Sequence, residues 1–571
     1  MRFDTFHSRR RLISVGAVAA LALVACQPSA SAGPTAAPAS QQVLQVNPTT
    51  EPNTFDPGQQ TYSFEGAMGR SAFEPLLTAK ADLTDVQPAA AESWSVSSDG
   101  LTYTFKLRKN AQWSDGKPVV AADFVYGYKR LLNPALTAGY TDPFFDQTIA
   151  GAATYGKVDA TSASAIDAFL AGLGLSAPDP YTFVIKLAQP TPYFKWVVSL
   201  WVAAPIRQDV VESAAGGPFP STDATKAEAW AQKPATVIGN GPFVFSELVH
   251  GDHLTLTPNS HYWGGAPKLQ KLIERFITDN NTGLADFKTG TLDIDNLQAA
   301  NVLAAKSDPT LSKLGKLYPE LGTFWLTFNQ ANSMLANKDL RLALIQSVDR
   351  TQIQAATAGT DVPVQTFIPQ GMAGYDAALG ASQKFDVASA KAHLAASGFT
   401  VAQVSTLKLL TRDTTGSRLI NQNVISQWST NLGLNIQLDI QPSHSVHPLL
   451  SAAKFDIYGP DGWNADYPDP QDFFDIFTSA SCHALNWGCP VLPGYDALVA
   501  KADSDTNATS RAAEYDQAQK ILVDTGGAGF LYQQYEYDVV QPWVQNLTTS
   551  SLQDEYVPGD LSYQATYISK H

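Results

Sequence analysis

Positive charge is in short supply: 38 Lys and Arg face 53 Asp and Glu in 571 residues, a formal net charge of −15. Phosphate contacts need clustered Lys and Arg, so a nucleic-acid partner is excluded. Long hydrophobic runs are missing too, and the apolar stretch at residues 12–25 is too short for a permanent membrane-spanning helix. Cysteine is limited to Cys26, Cys482 and Cys489, which allows one disulfide. Catalytic signatures are absent: there is no Gly-x-Ser-x-Gly elbow, no His-Glu-x-x-His and no evident nucleophile and base pair. Gly151-Ala-Ala-Thr-Tyr-Gly-Lys-Val158 approaches a phosphate-binding loop, but Val158 stands where Ser or Thr must hold Mg²⁺. His250 with His253, and His444 with His447, are spaced i,i+3 and read as surface histidines rather than metal pairs. No internal repeat at a fixed period is present. The chain is therefore expected to be no enzyme and to carry no cofactor or metal.

What is there fits a large exported protein. At 571 residues the chain exceeds one hydrophobic core, and 11 Trp, 21 Tyr and 27 Phe supply ample aromatic surface. Arg9, Arg10 and Arg11 precede the apolar run, so residues 1–25 read as an export signal. Leu23-Val-Ala-Cys26 resembles the lipobox of bacterial lipoproteins, which implies cleavage before Cys26 and acylation of its thiol. Ser8-Arg-Arg-Arg-Leu-Ile13 also resembles a twin-arginine signal, which leaves the export route open. Residues 1–25 carry four Arg and one Asp, so their removal makes the mature chain three charges more negative. Residues 26–41 hold no large apolar side chain and read as a flexible tether.

From residue 42 onward, strand-like runs alternate with amphipathic helical segments, the pattern of α/β lobes. Leu101-Thr-Tyr-Thr-Phe-Lys-Leu107 alternates with period two behind the turn Ser98-Asp-Gly100, which predicts a strand entered from a hairpin. Tyr181-Thr-Phe-Val-Ile-Lys-Leu187 predicts a matching strand. Helices are predicted at 121–132, 339–353 and 386–396, the last two each opened by a capping Asp.

Several blocks resemble the family 5 solute-binding proteins of ABC importers, the peptide, dipeptide and nickel binders. They include Ala91-Glu-Ser-Trp with Thr102-Tyr-Thr-Phe-Lys-Leu-Arg108, Trp113-Ser-Asp-Gly-Lys-Pro118, Asn259-Ser-His-Tyr-Trp-Gly264 and Asn337-Lys-Asp-Leu-Arg341. Gly462-Trp-Asn-Ala-Asp-Tyr-Pro-Asp-Pro470 is most similar to the oligopeptide binders. The resemblance implies an α/β, bilobal fold of the periplasmic-binding-protein type II-like kind, with an extra inserted lobe and a two-stranded hinge. Lobe I would comprise residues 42-62, 188-283 and 530-571, the inserted lobe 63-187, and lobe II 284-529.

By the same resemblance Asp466 holds the α-ammonium of a peptide, a charge that must be paired once enclosed. Thr61, Tyr62 and Ser63 lie along the ligand backbone as an added strand, and Tyr140 and Trp463 are aromatic pocket walls. Core packing is the alternative for those two rings, less so for Trp463 because Trp is usually only partly buried. The carboxylate end departs from the pattern: Pro460 and Ser417 occupy positions where oligopeptide binders carry Arg and His. Arg418 stands beside Ser417 as a possible carboxylate contact, its alternative being a solvated surface residue. Cys482 and Cys489 are expected to form a disulfide in an oxidising compartment.

The implied protein is extracytoplasmic, lipid-anchored to the outer face of the bacterial cell membrane, and monomeric. It captures short peptides and hands them to the permease subunits of an ABC importer. The rival readings are a binder of a nickel chelate, opine or oligosaccharide, and a surface receptor uncoupled from transport.

Overall fold

The computed structural model describes residues 34–141, 144–216, 222–223, 226, 228–549 and 558–571. The export signal at 1–25 and Cys26 lie outside the described residues. No helix among the described residues is long and apolar enough to cross a membrane.

The main sheet is mixed and eleven-stranded. Strand beside strand it runs Gln437–Gln441, Lys408–Arg412, Ile457–Asn464, Gly315–Phe328, Ala528–Val540, Ile294–Asn296, Val43–Val46, Lys271–Arg275, His253–Pro258 and Phe243–Val249. Asp361–Pro363 adds to Ala528–Val540 off this path. Two strands in the middle are long, 14 and 13 residues, and pair antiparallel. Their ladder shifts register between Pro319 and Thr323. On one side of that break Val539 and Val540 reach the strands of the first lobe; on the other Thr323 and Phe324 pair with Trp463 and Gly462 of the second. These strands are the two-stranded hinge of a bilobal α/β fold. The apolar cores are separate in keeping with this: Leu44, Val46 and Leu272 belong to one, Leu326, Leu409 and Trp428 to another.

A separate antiparallel sheet of four strands, Ala91–Val96, Thr102–Leu107, Thr182–Lys186 and Leu175–Asp179, builds the inserted lobe. Alternation in the sequence dictates its faces: Tyr103, Phe105 and Leu107 are buried, while Lys106 is exposed. The helix Ala121–Leu131 covers it, burying Phe124, Tyr128 and Leu131 at i, i+4 and i+7.

Four expectations change. The helix predicted at 339–353 is two helices, Lys338–Gln346 and Arg350–Ala356, because Asp349 accepts from Thr351 N–H at 3.0 Å and starts a second helix there. Asn337, not Asp339, caps the first of them, through Leu340 N–H at 3.1 Å. Residues 284–314 were assigned to the second lobe, yet Ile294–Asn296 pairs with Val46 and with Asp538 to Val540. Their apolar side chains, Leu284, Phe287 and Leu292, pack with Tyr537 and Val539. The tether differs as well from Ala36 onward. Ala36 bridges Ser569, Ala37 N–H donates to the Ile568 carbonyl at 2.9 Å, and the Gln42 side-chain amide donates to the carbonyls of Ala37 and Ile568. Docking by main-chain bonds needs no large apolar side chain, which is why composition did not reveal it.

Candidate functional site

A cavity of about 540 Å³ is walled by both sides of the hinge: Thr61, Gly139, Tyr140 and Phe144 from one, and His447, Trp463, Asp466, Asp472, Asp475 and Leu485 among others from the second lobe. That is the size of a site enclosing a small organic ligand. Four residues singled out from sequence, Thr61, Tyr140, Trp463 and Asp466, thus meet in one place.

The second-lobe wall follows from how the strand Ile457–Asn464 ends. Trp463 sits one residue before its end, and the chain then turns so that Asp466 N–H donates to Asp472 Oδ2 at 2.9 Å. The same oxygen accepts from Trp463 Nε1 at 3.3 Å. Asp472 therefore fixes both the indole and the loop that presents Asp466. Asp466 is 4% exposed, and its Oδ1 accepts from the Tyr140 hydroxyl at 2.9 Å across the cleft. Burial, then the charge of Asp466, holds the Tyr140 hydroxyl far above its ordinary range. Burial and Asp466 likewise push the Asp472 carboxyl well up. The Tyr140 ring lies edge-on to Trp201 at 5.0 Å and stacks on Phe144, whose own ring meets Tyr467 at 5.5 Å.

A second tie joins the lobes beside the cavity. Tyr467 stacks on Tyr193 with centroids 6.3 Å apart, and Arg511, 5.9 Å over the Tyr193 ring, grips Asp469 with bonds of 3.0 and 2.6 Å.

Other expected contacts fall out differently. Of Thr61, Tyr62 and Ser63 only Thr61 lines the cavity. Thr61 and Tyr62 donate their N–H groups to Glu65 Oε2 at 3.0 and 3.2 Å, because Glu65 in the first turn of the helix Ser63–Ala72 reaches back over its start. Those two donors are thus satisfied within the chain, and Tyr62 is 56% exposed, stacked on Phe64. Arg418 is half exposed, paired with Asp413 at 3.1 Å, and does not line the cavity. The Cys482–Cys489 disulfide is formed. Although Cys482, His483 and Cys489 cluster closely enough to suggest a metal, both sulfurs are spent on each other. The disulfide loop contributes Leu485 to the wall, and its Trp487 meets His447 edge-on at 5.0 Å.

Sequence reasoning missed Asp472, Asp475 and His447. A signal for the first two was present: Asp466, Asp469, Asp472 and Asp475 recur every third residue, and three of the four line the cavity.

Two lobes on a two-stranded hinge, with a cavity walled by both, are the architecture of a hinged solute-binding protein. The chain belongs to the bacterial extracellular solute-binding proteins, family 5, whose middle-region model matches residues 85–483. The periplasmic murein peptide-binding protein MppA of Escherichia coli is 29% identical over 544 residues, 93% of this chain and 94% of that protein. Its solved structure matches with a TM-score of 0.74 at 27% identity, over 93% of this chain and 98% of that one. The oligopeptide-binding protein OppA of Bacillus subtilis is 30% identical over 492 residues, 84% of this chain and 85% of that protein. The probable deoxycholate-binding periplasmic protein YgiS of Escherichia coli is 27% identical over 540 residues, 93% of this chain and 95% of that protein.

Proposed function

We propose that the protein captures short peptides between its lobes outside the cytoplasm and delivers them, as a monomer, to an ABC importer. Acylated Cys26 would hold it on the outer face of the membrane. The observation that carries this reading is Asp466: a carboxylate 4% exposed on the cavity that both lobes wall, its Oδ1 accepting from the Tyr140 hydroxyl across the cleft. A peptide α-ammonium is the complement of that carboxylate. Bound between the walls, the ligand adds contacts to both lobes and favours the closed form, which the importer then recognises.

The test is calorimetric titration of wild type and Asp466→Ala with a free and an N-acetylated tripeptide. Losing the counter-charge to a desolvated ammonium costs about 2 to 5 kcal/mol, at least about 30-fold in affinity. The acetylated peptide should bind wild type weakly and lose little more in the variant. Equal binding of both peptides by wild type would defeat the reading. A non-peptide solute is the second reading, favoured by one observation: among the described residues no Lys or Arg lines the cavity to receive a carboxylate. The relative YgiS, named for deoxycholate binding, points the same way.

A further inference from the structure

Among the described residues a single base, His447, lines the cavity. It stands on the helix Ser443–Ser451, which Val446 and Leu450, buried with Leu410 and Tyr458, pin to the second lobe. Trp487 holds the imidazole edge-on at 5.0 Å, from within the loop that the Cys482–Cys489 disulfide closes. The ring therefore has a fixed place. Its Nδ1 lies 3.4 Å from the Ser451 hydroxyl, and its Nε2 makes no hydrogen bond among the described residues. His447 is exposed, in contrast to the buried Asp466 and Asp472 on the same cavity. The other side-chain nitrogens of the lining are already engaged: Trp463 Nε1 donates to Asp472 at 3.3 Å, and the Gln471 amide donates to Asp475. Of the nitrogens on the cavity, His447 Nε2 is thus the one left to meet a ligand.

A peptide brings a carboxylate as well as an ammonium, and a carboxylate drawn out of water needs a donor. We infer that His447 Nε2–H receives the carboxylate of a ligand whose ammonium meets Asp466, so that the cavity reads both ends of a zwitterion. This rests on the peptide reading above and adds to it the residue that favours a free carboxyl terminus. When the Ser451 hydroxyl donates to Nδ1, the neutral ring carries its proton on Nε2, so the bond to the ligand does not require a charged imidazole. A donor bonded to a carboxylate is worth more than the same donor bonded to an amide carbonyl, and that difference is the selectivity.

The experiment is calorimetry at neutral pH with dialanine, trialanine and tetra-alanine, each as the free peptide, the C-terminal amide and the N-acetylated acid. For at least one length, wild type should prefer the free acid over the amide by about tenfold or more. His447→Phe keeps a ring against Trp487 and lacks the N–H. It should cut that preference to within about threefold while the amide changes by less than about threefold. His447→Gln, whose side-chain amide still offers an N–H, should retain more of the preference than His447→Phe. Equal binding of acid and amide by wild type at all three lengths would overturn the inference and leave the peptide reading standing. An equal loss for acid and amide in His447→Phe would also overturn it, by showing that the ring only holds the Trp487 loop. An undiminished preference in His447→Phe would do the same, by placing the carboxylate elsewhere. Failure of every peptide to bind, or equal binding of free and acetylated peptides, would overturn the peptide reading itself and this inference with it.

Discussion

Asp466 and Asp469 lie three residues apart in one loop, both buried, and they are tied differently: Asp466 across the cleft to Tyr140, Asp469 within the second lobe to Arg511. Asp469 meets a guanidinium in a two-bonded grip that neutralises it, while Asp466 meets the Tyr140 hydroxyl, which lends a hydrogen bond and no charge. The first is an ion pair made within the protein; the second is the carboxylate that, on the function proposed above, faces the ligand's ammonium. Which buried carboxylates a protein pairs internally, and which it leaves to a neutral donor, separates scaffold from site.

The largest effects come from breaking that contrast at either end. Asp466→Ala should lose at least about 30-fold in peptide affinity with little change in urea-unfolding free energy. Asp469→Ala should do the reverse, costing about 3 kcal/mol of stability because Arg511 is left buried without its partner, with affinity moving less than about threefold. A control for burial alone is Glu274, fully buried on the strand Lys271–Arg275, outside the cavity, with neither carboxylate oxygen hydrogen-bonded among the described residues. Burial, and then the charge of Asp560, pushes its carboxyl up to about 8. The folded state therefore holds this proton more tightly than the unfolded state. Its contribution to stability is complete below the ordinary value of 4.5, shrinks as pH rises, and is lost through about 8. Glu274→Gln should remove that slope, on the order of a few kcal/mol between pH 5 and 8, so thermal melts of the variant should gain on wild type at pH 8 and leave affinity unchanged.

The disulfide is next in size. Cys482→Ala with Cys489→Ala opens a short loop and should cost about 2 to 3 kcal/mol in chemical unfolding, with weaker peptide binding because Leu485 loses its fixed place on the wall. The smallest effect belongs to Tyr140→Phe, which deletes the hydroxyl bonded to Asp466 and keeps the ring. It should cost about 1 kcal/mol of stability while leaving the preference for free over acetylated peptide intact, because the phenol is not the counter-charge. Cys26→Ala, scored by membrane fractionation, tests the anchor separately: release into the soluble fraction is expected, and full retention would refute acylation.

Local chemistry was readable in the sequence where a single element decided it. The alternation of Tyr103, Phe105 and Leu107 gave a half-buried strand, and Asp386 capped the helix Val387–Ala396 as its position predicts. The Trp463 to Pro470 block pointed to Asp466. What escaped reading depends on partners far away in the chain. Tyr140 and Asp466 are 326 residues apart, and no spacing announces that a hydroxyl will meet a carboxylate across a cleft. Thr61 and Tyr62 spend their N–H groups nearer by: Glu65 takes both, a competition visible only once the helix start is fixed. Arg418 is solvated because Asp413, at the turn before its helix, is a closer partner than the cavity.

The strand Ala528–Val540 sits at the middle of the main sheet although it is among the last to be made. Its neighbours, Gly315–Phe328 and Ile294–Asn296, emerge more than two hundred residues earlier and have no common partner until it arrives. Synthesis therefore runs far ahead of sheet closure. Contacts of such long sequence separation are slow to form, since a large loop must close before any pairing rewards it. During that interval the two half-sheets expose the edges that the last long strand will fill. A nascent chain of this topology remains unfinished for almost the whole of its elongation; a truncation before residue 528 should yield two unjoined half-sheets that aggregate rather than a smaller folded protein.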